Sequence, residues 1–262
     1  MMASNNSIKK TLTVAFALCI VCSVVVASAA VVLRPTQQKN QAQDRMRNLL
    51  QVAELYKPGK DIRDLYDELI TPRVVNLKTG EYAEDKNPET FNQFEAAKDP
   101  AQSITLSGSD DIAGIGRREN YATVYLVGDP DSPDEIIVPV RGQGLWSLMS
   151  GYLALKGDGN TVVGLSFYDQ GETPGLGGEV DNPKWKALWD GKKIYPEDSM
   201  DPAIKLVKGG VGPQTPDAIH KVDALSGATL TSKGVTHLLQ FWLSDEGFAE
   251  YLARFRDKTQ GA

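Results

Sequence analysis

One short stretch near the C-terminal end of the 262-residue chain combines residue types that could do chemistry. It reads Asp223-Ala-Leu-Ser-Gly-Ala-Thr229, and its last residue presents a hydroxyl after a run of small side chains. Apolar residues then recur at helical spacing over residues 235–242, which predicts a helix that begins near Thr229. A helix N-terminus offers free N–H groups that bind phosphate. The stretch therefore indicates an exposed hydroxyl beside a helix end that is suited to a phosphate group.

The same residues match the motif Asp-x-x-Ser/Thr-Gly-Ala-Thr, and through it the chain resembles the FMN-binding domain family. In that family a separate flavin transferase joins the phosphate of FMN to the last threonine. The resemblance implies that Thr229 carries covalent FMN and that Asp223 and Ser226 serve recognition by the transferase. It also places three neighbours in the cofactor site: Ser226, Gly227 and Ala228. The alternative is an ordinary turn before a helix, in which Thr229 is only the N-cap.

Two glycine-containing blocks upstream match further hallmarks of that family, Gly144-Leu-Trp146 and Glu172-Thr-Pro-Gly-Leu-Gly177. Glycine lets a backbone come close to a flat ring, so the apolar side chains of both blocks could sandwich the flavin. Glu172 and Thr173 could bond the polar edge of the ring. The cofactor contacts predicted in these blocks are Leu145, Trp146, Glu172, Thr173, Gly175, Leu176 and Gly177. The alternative is a glycine- and proline-rich loop over a core tryptophan.

Cysteine, histidine and charge usage argue against several other classes of site. Cys19 and Cys22 lie in the first hydrophobic run, so the rest of the chain has no cysteine for a disulfide or an iron–sulfur cluster. The two histidines have no ligand spacing, and no metal site is predicted. A net charge of −6 argues against nucleic acid as a partner. No Ser-His-Asp or paired-carboxylate arrangement and no complete dinucleotide-binding glycine motif is found, so no catalytic residue is assigned.

Residues 11–33 form an unbroken uncharged run, long enough to span a bilayer core of about 30 Å. We predict a transmembrane helix over 11–33 after a short cytoplasmic tail, residues 1–10. A cleavable signal peptide is the alternative, because Ala27-Ser-Ala29 resembles a cleavage site. Basic residues lie on both sides of the run, so charge alone does not set the topology. The expectation that residues 34–262 are periplasmic, at a bacterial inner membrane, rests on the resemblance.

The hydrophobic pattern of the rest of the chain predicts an α+β domain. Helical spacing occurs over residues 36–56 and 61–70, and residues 78–120 are polar and rich in turn residues. Strand-like runs follow at 121–127, 136–140, 151–155, 161–168 and 204–207. Further helices are expected at 182–190, after Thr229, and after Ser244 as a cap. The order favours a mainly antiparallel sheet with flanking helices, and the FMN-binding region is expected at about 120–262.

The layout as a whole resembles the C subunits of sodium-translocating NADH:quinone oxidoreductases. The resemblance implies a protein that relays electrons from NADH towards ubiquinone and performs no catalysis alone. It implies as partners the other subunits of an inner-membrane complex, a flavin transferase during maturation, and membrane lipid. The G subunits of Rnf electron-transport complexes share the motif, usually with a shorter soluble part, and remain an alternative. A cofactor-free, membrane-tethered assembly module is the alternative from another class.

Overall fold

A computed structural model describes residues 8–260 of the chain, with side chains through Arg256. It divides into two compact units at Asp44/Arg45. The first unit consists of most of helix α1 (Ile8–Val52), and its large apolar side chains are exposed along residues 8–33. This helix is long and apolar enough to cross a membrane, and a signal sequence has the same features. The first unit therefore has the composition of a membrane segment and not that of a core helix.

Helix α1 differs from the predicted arrangement of a transmembrane helix over 11–33 and a separate helical segment over 36–56. The helix continues through Pro35 and ends at Val52. Proline removes one backbone hydrogen bond and crowds the carbonyl four residues before it, but a single proline need not end a helix. The end is fixed by Glu54, whose φ of 54° is left-handed, and by N–H groups of Leu55 and Tyr56 that both donate to the Leu50 carbonyl.

The second unit is built on a five-stranded antiparallel sheet with the strand order β1-β4-β5-β6-β7. Its strands are β1 (Ile70–Asn76), β4 (Tyr121–Asp129), β5 (Ser132–Gln143), β6 (Leu148–Lys156) and β7 (Val162–Asp169). The strands predicted at 121–127, 136–140, 151–155 and 161–168 are confirmed as β4 to β7. Strand β1 is not among the predicted strands, because Pro72 interrupts its short sequence. Proline is tolerated there because β1 lies at the edge of the sheet, next to β4.

Helices pack on both faces of this sheet. Helices α5 (Thr229–Trp242) and α6 (Ala249–Gln260) cover one face together with Trp185 and Trp189. The last turns of α1 and helix α2 (Ile62–Leu69) cover the other, where Leu50 and Leu65 meet Ile137 and Tyr152. Alternate residues of β5 enter the two cores, as strand geometry requires. The α+β class with a mainly antiparallel sheet and flanking helices is confirmed, and the helices lie on both faces of the sheet.

Short elements complete the second unit. Residues 78–120 contain helix α3 (Gln93–Lys98) and a pair of three-residue strands, β2 (Ser103–Thr105) and β3 (Arg117–Glu119). Helix α4 (Pro183–Lys186) follows a 3₁₀ turn, and strand β8 (Lys205–Val207) pairs in parallel with β9 (Lys221–Asp223). The predicted cap at Ser244 is wrong. The Ser244 hydroxyl accepts from Glu246 N–H in a turn of its own, and α6 begins only at Ala249.

Candidate functional site

The Thr229 hydroxyl lies at the start of α5 and is exposed. Ala228 is the N-cap and has no side-chain hydroxyl, so the alternative in which Thr229 serves as the cap is wrong. Ser232 closes the turn instead: its hydroxyl accepts from Leu225 N–H at 3.0 Å and donates to the Ala228 carbonyl at 2.9 Å. Within residues 8–260, the Thr229 hydroxyl has no hydrogen-bond partner. It is therefore available for modification.

The turn before Thr229 has an exposed backbone. Ser226 and Gly227 are exposed, whereas Ala228 is buried and anchors the turn in the core. Gly227 has a φ of 72°, which favours glycine. A Cβ atom built at Gly227 would lie 3.0 Å from Cδ2 of Leu176. The motif turn therefore contacts the second predicted block directly.

Asp223 holds a neighbouring loop. Its Oδ1 accepts a hydrogen bond from Val211 N–H at 2.5 Å, and its main-chain carbonyl accepts from Trp185 Nε1 at 2.9 Å. The carboxylate thereby fixes the glycine-rich segment 209–212 against the end of β9. These contacts give Asp223 a structural role, and its role in transferase recognition stays a prediction.

Glu172 is the centre of the second constellation and is only 5% exposed. Its Oε1 accepts from the backbone N–H groups of Trp146 at 2.9 Å and Ser147 at 3.3 Å. Its Oε2 accepts from Leu145 N–H at 3.2 Å and from the Thr231 hydroxyl at 2.6 Å. One carboxylate thus joins the 144–147 loop, the 171–177 loop and the first turn of α5. Sequence reasoning gave Glu172 a contact to flavin and did not indicate this positioning role.

The ionisation of Glu172 follows from these contacts. Burial alone would raise its pKa, but the Thr231 hydroxyl and the three backbone N–H donors outweigh burial and hold the pKa below its usual value of 4.5. The side chain is therefore a carboxylate at neutral pH, able to accept all four hydrogen bonds.

Glycines allow these three segments to meet. A Cβ atom at Gly177 would lie 2.5 Å from Oγ1 of Thr231, and one at Gly144 would lie 2.5 Å from Oε1 of Glu172. A Cβ atom at Gly234, on α5, would lie 2.4 Å from the carbonyl oxygen of Gln143. No larger residue fits at these positions without moving backbone or the buried carboxylate. At these three positions glycine allows close contact between segments of the protein, whereas the sequence analysis expected close contact with a flat ring.

The predicted ring contacts form an exposed apolar surface. The side chain of Trp146 is 69% exposed, and Leu145 and Leu176 are 42% and 45% exposed. The alternative in which Trp146 packs in the core is wrong, because this side chain is exposed, and the core contains Trp185, Trp189 and Trp242 instead. Thr173 and Gly175 also lie on the exposed side of their loop, and Gly175 has a φ of 75°. An apolar surface of this kind beside a free hydroxyl fits a flat ring tethered to Thr229.

A cavity of about 630 Å³ opens beside Thr229 and Gly227. Sequence reasoning missed the basic residues that line it: Lys205, Lys208, Lys233 and His237. Two of them were visible in the sequence, because Lys233 and His237 follow Thr229 at i+4 and i+8 on the exposed face of α5. The basic residues in its lining give the cavity a charge that suits an anionic group. Across the described residues, no cluster of side chains that could hold a metal ion occurs.

Comparison with known proteins agrees with this geometry. Residues 144–244 match the model of the FMN-binding domain family. The chain is 52% identical to the C subunit of the Na+-translocating NADH-quinone reductase of Pseudomonas aeruginosa, covering 97% of this chain and 98% of that one. It is 51% identical to the corresponding C subunit of Vibrio alginolyticus, covering 98% of each chain.

Two solved structures share the fold. NqrC of Shewanella oneidensis superposes with a TM-score of 0.73 at 38% identity, over 82% of this chain and 98% of that one. The C subunit of the Na+-translocating NADH-quinone reductase of Parabacteroides distasonis superposes with a TM-score of 0.63 at 28% identity, over 86% of this chain and 96% of that one. The Rnf alternative is not favoured by these relatives. The chain belongs to the family of Na+-translocating NADH-quinone reductase C subunits.

Proposed function

We propose that this chain is the FMN-carrying electron-transfer subunit of a sodium-translocating NADH:quinone reductase, with the flavin joined through its phosphate to Thr229. The observation that carries the proposal is the free, exposed hydroxyl of Thr229 at the head of α5, within the family's motif. Bound FMN would supply electron transfer, because a flavin accepts and passes on electrons singly or in pairs. The chain's own residues tether and orient it.

Each part of the site has a separate task in this proposal. Leu145, Trp146 and Leu176 offer an apolar surface for the ring, and Glu172 fixes the loop that carries Trp146. The exposure of these side chains leaves room for a partner subunit to approach the flavin.

The membrane arrangement belongs to the same proposal. Residues 11–33 would form a retained inner-membrane anchor in contact with lipid, residues 1–10 a cytoplasmic tail, and residues 34–262 a periplasmic domain with its FMN-binding region at about 120–262. The support is the long exposed apolar helix and the family. Activity of reporter enzymes fused after residue 262 decides the orientation, and a fusion active only in the cytoplasm would reverse it.

Thr229→Val tests the attachment, because valine keeps the shape of threonine and removes the hydroxyl. We expect intact mass and in-gel fluorescence to show a chain without flavin and with unchanged thermal unfolding. Thr79→Val, at an exposed threonine outside the motif, is the matched control and should retain the flavin. A flavin mass on the Thr229→Val chain would exclude this residue as the attachment point. A parent chain that carries no covalent flavin would favour the cofactor-free assembly module.

The role in electron transfer is tested in the whole complex. The isolated parent chain should be reduced by dithionite and should not oxidise NADH. A complex assembled with the Thr229→Val chain should still oxidise NADH with artificial acceptors and should lose quinone reduction. Normal quinone reduction by that complex would contradict the proposal.

A further inference from the structure

The 144–147 loop is held at its start by residues that lie outside the match to the FMN-binding domain family. Gln143, the residue just before the loop, donates its backbone N–H to the Ala113 carbonyl at 2.7 Å. A Cβ atom at Gly142 would lie 3.0 Å from that carbonyl oxygen, and the Cβ position of Gly114 is 2.9 Å from Cβ of Gln143. The two segments are therefore in direct contact, with no room for a larger residue at either glycine.

A buried ion pair attaches the far end of the same segment to β5. Nη1 and Nη2 of Arg141 donate to the two carboxylate oxygens of Glu119 at 2.6 and 2.5 Å, and both side chains are buried. Nη2 also donates to the Arg117 carbonyl at 3.2 Å. A bidentate pair of this kind fixes orientation as well as distance. Residues 111–119, named here the support segment, are thus attached to β5 at both ends.

The carboxylate of Asp111 gives the support segment its shape. Its Oδ1 accepts from Ile115 N–H and its Oδ2 accepts from Gly116 N–H, both at 2.8 Å. These two bonds close the turn that places the carbonyl of Ala113 against Gln143. Removing an acceptor oxygen from Asp111 leaves a backbone N–H without its partner and loosens that turn.

We infer that the support segment is a positioning element of the flavin site, and that Asp111 is its positioning residue. The segment fixes the start of the loop that carries Trp146, and with it the apolar surface offered to the ring. Glu172 holds the same loop farther along, through three backbone N–H groups. The loop therefore has two supports, and loosening either one changes how the ring is held. This inference rests on the proposed function and extends the site to residues outside the family match.

The first test measures the loop in the full-length chain in detergent, made without a flavin transferase. Amide hydrogen exchange of residues 143–148 is compared in Gly114→Ala and Gly116→Ala. Both variants place alanine at a positive φ, 67° and 69°, but only the first brings a Cβ atom against Gln143, and nothing lies within 4 Å of the second. We expect exchange in Gly114→Ala to be faster than in Gly116→Ala by about tenfold or more.

The second test measures the flavin in the chain made with the transferase. Asp111→Asn and Asp110→Asn remove the same charge from the same turn, but the Asp110 carboxylate accepts from the hydroxyls of Ser107 and Ser109 instead. Asp111→Asn should weaken the visible circular dichroism of the bound flavin and shift its midpoint potential, whereas Asp110→Asn should match the parent in both. Asp110 is exposed and Asp111 half-buried, so both variants are expected to fold.

The outcomes separate this inference from the proposed function. Equal exchange of residues 143–148 in the two glycine variants would overturn the support segment as an anchor of the loop. Unchanged dichroism and potential in a flavin-carrying Asp111→Asn chain would overturn its effect on the ring. The attachment is read independently, from the intact mass of the parent chain. A parent without flavin mass would overturn the attachment, and the exchange measurement would still decide whether the support segment holds the loop.

Discussion

Replacing Glu172 by glutamine tests whether one buried carboxylate joins the segments of the site. Hydrogen bonds to a charged group contribute about 1.5–3 kcal/mol each and neutral ones about 0.5–1.5 kcal/mol. The most favourable glutamine rotamer turns its NH₂ group towards the Thr231 hydroxyl and leaves Leu145 N–H without an acceptor. One bond is then lost and three become neutral. These losses are not additive, and water at the adjacent exposed loop replaces part of them, so we expect a net loss of about 2–4 kcal/mol in the free energy of unfolding, which is less than the sum of the separate bonds.

The assay is thermal and urea unfolding of the full-length chain in detergent. For a unit of this size, a loss of about 2–4 kcal/mol lowers Tm by about 5–15 °C. Emission from Trp146, obtained by difference from a Trp146→Phe chain, reports whether the loop is released. Glu84→Gln, at an exposed glutamate, is the control and should stay within about 0.5 kcal/mol of the parent. Unchanged stability and unchanged Trp146 emission in Glu172→Gln would refute the positioning role.

The difference in free energy of unfolding between the parent chain and Glu172→Gln depends on pH, and its direction follows from the pKa of Glu172. The pKa of Glu172 is lower in the folded chain than the usual 4.5, so its carboxylate stabilises the fold at pH values above 4.5. That stability is lost as the pH falls through the lower, folded pKa. The parent chain should therefore exceed Glu172→Gln in free energy of unfolding by the whole amount at pH 7, and this difference should become smaller below pH 4.5. A difference that grows on acidification would contradict the argument.

Three further predictions concern stability measured by urea unfolding. Burial and nearby carboxylates raise the pKa of Glu135 to about 7, so its ionisation lowers the stability of the fold as the pH rises from about 4.5 to 7. Glu135→Gln should therefore have the same free energy of unfolding as the parent at pH 4 and a larger one at pH 8. Arg141→Met leaves the buried Glu119 carboxylate unpaired and should cost about 3–5 kcal/mol, most of which a second change, Glu119→Leu, should recover. Gly227→Ala and Gly175→Ala both place alanine at positive φ, at about 1–2 kcal/mol, but only the first also meets a neighbouring side chain, so it should be the more destabilising.

The sheet could be predicted because its signals are local. Each central strand is a continuous apolar or alternating run bounded by turn residues, and the hairpin at 156–160 is fixed by Asp158, which accepts from Asn160 N–H and Thr161 N–H. Strand β1 could not be predicted in the same way, since its pairing with β4 joins residues about 50 positions apart. Nor did the parallel pairing of β8 with β9 leave a local pattern, because each strand has three residues.

The site shows the same division between local and distant signals. The motif that ends at Thr229 is contiguous, so the sequence alone identifies the hydroxyl. The bond from Thr231 to Glu172 spans 59 positions, and no spacing rule connects the two residues. The cavity likewise takes Lys233 from the helix that carries the motif and Lys208 from a loop that Asp223 holds in place. A variant of the motif therefore tests attachment, whereas only variants chosen from the fold test how the flavin is held.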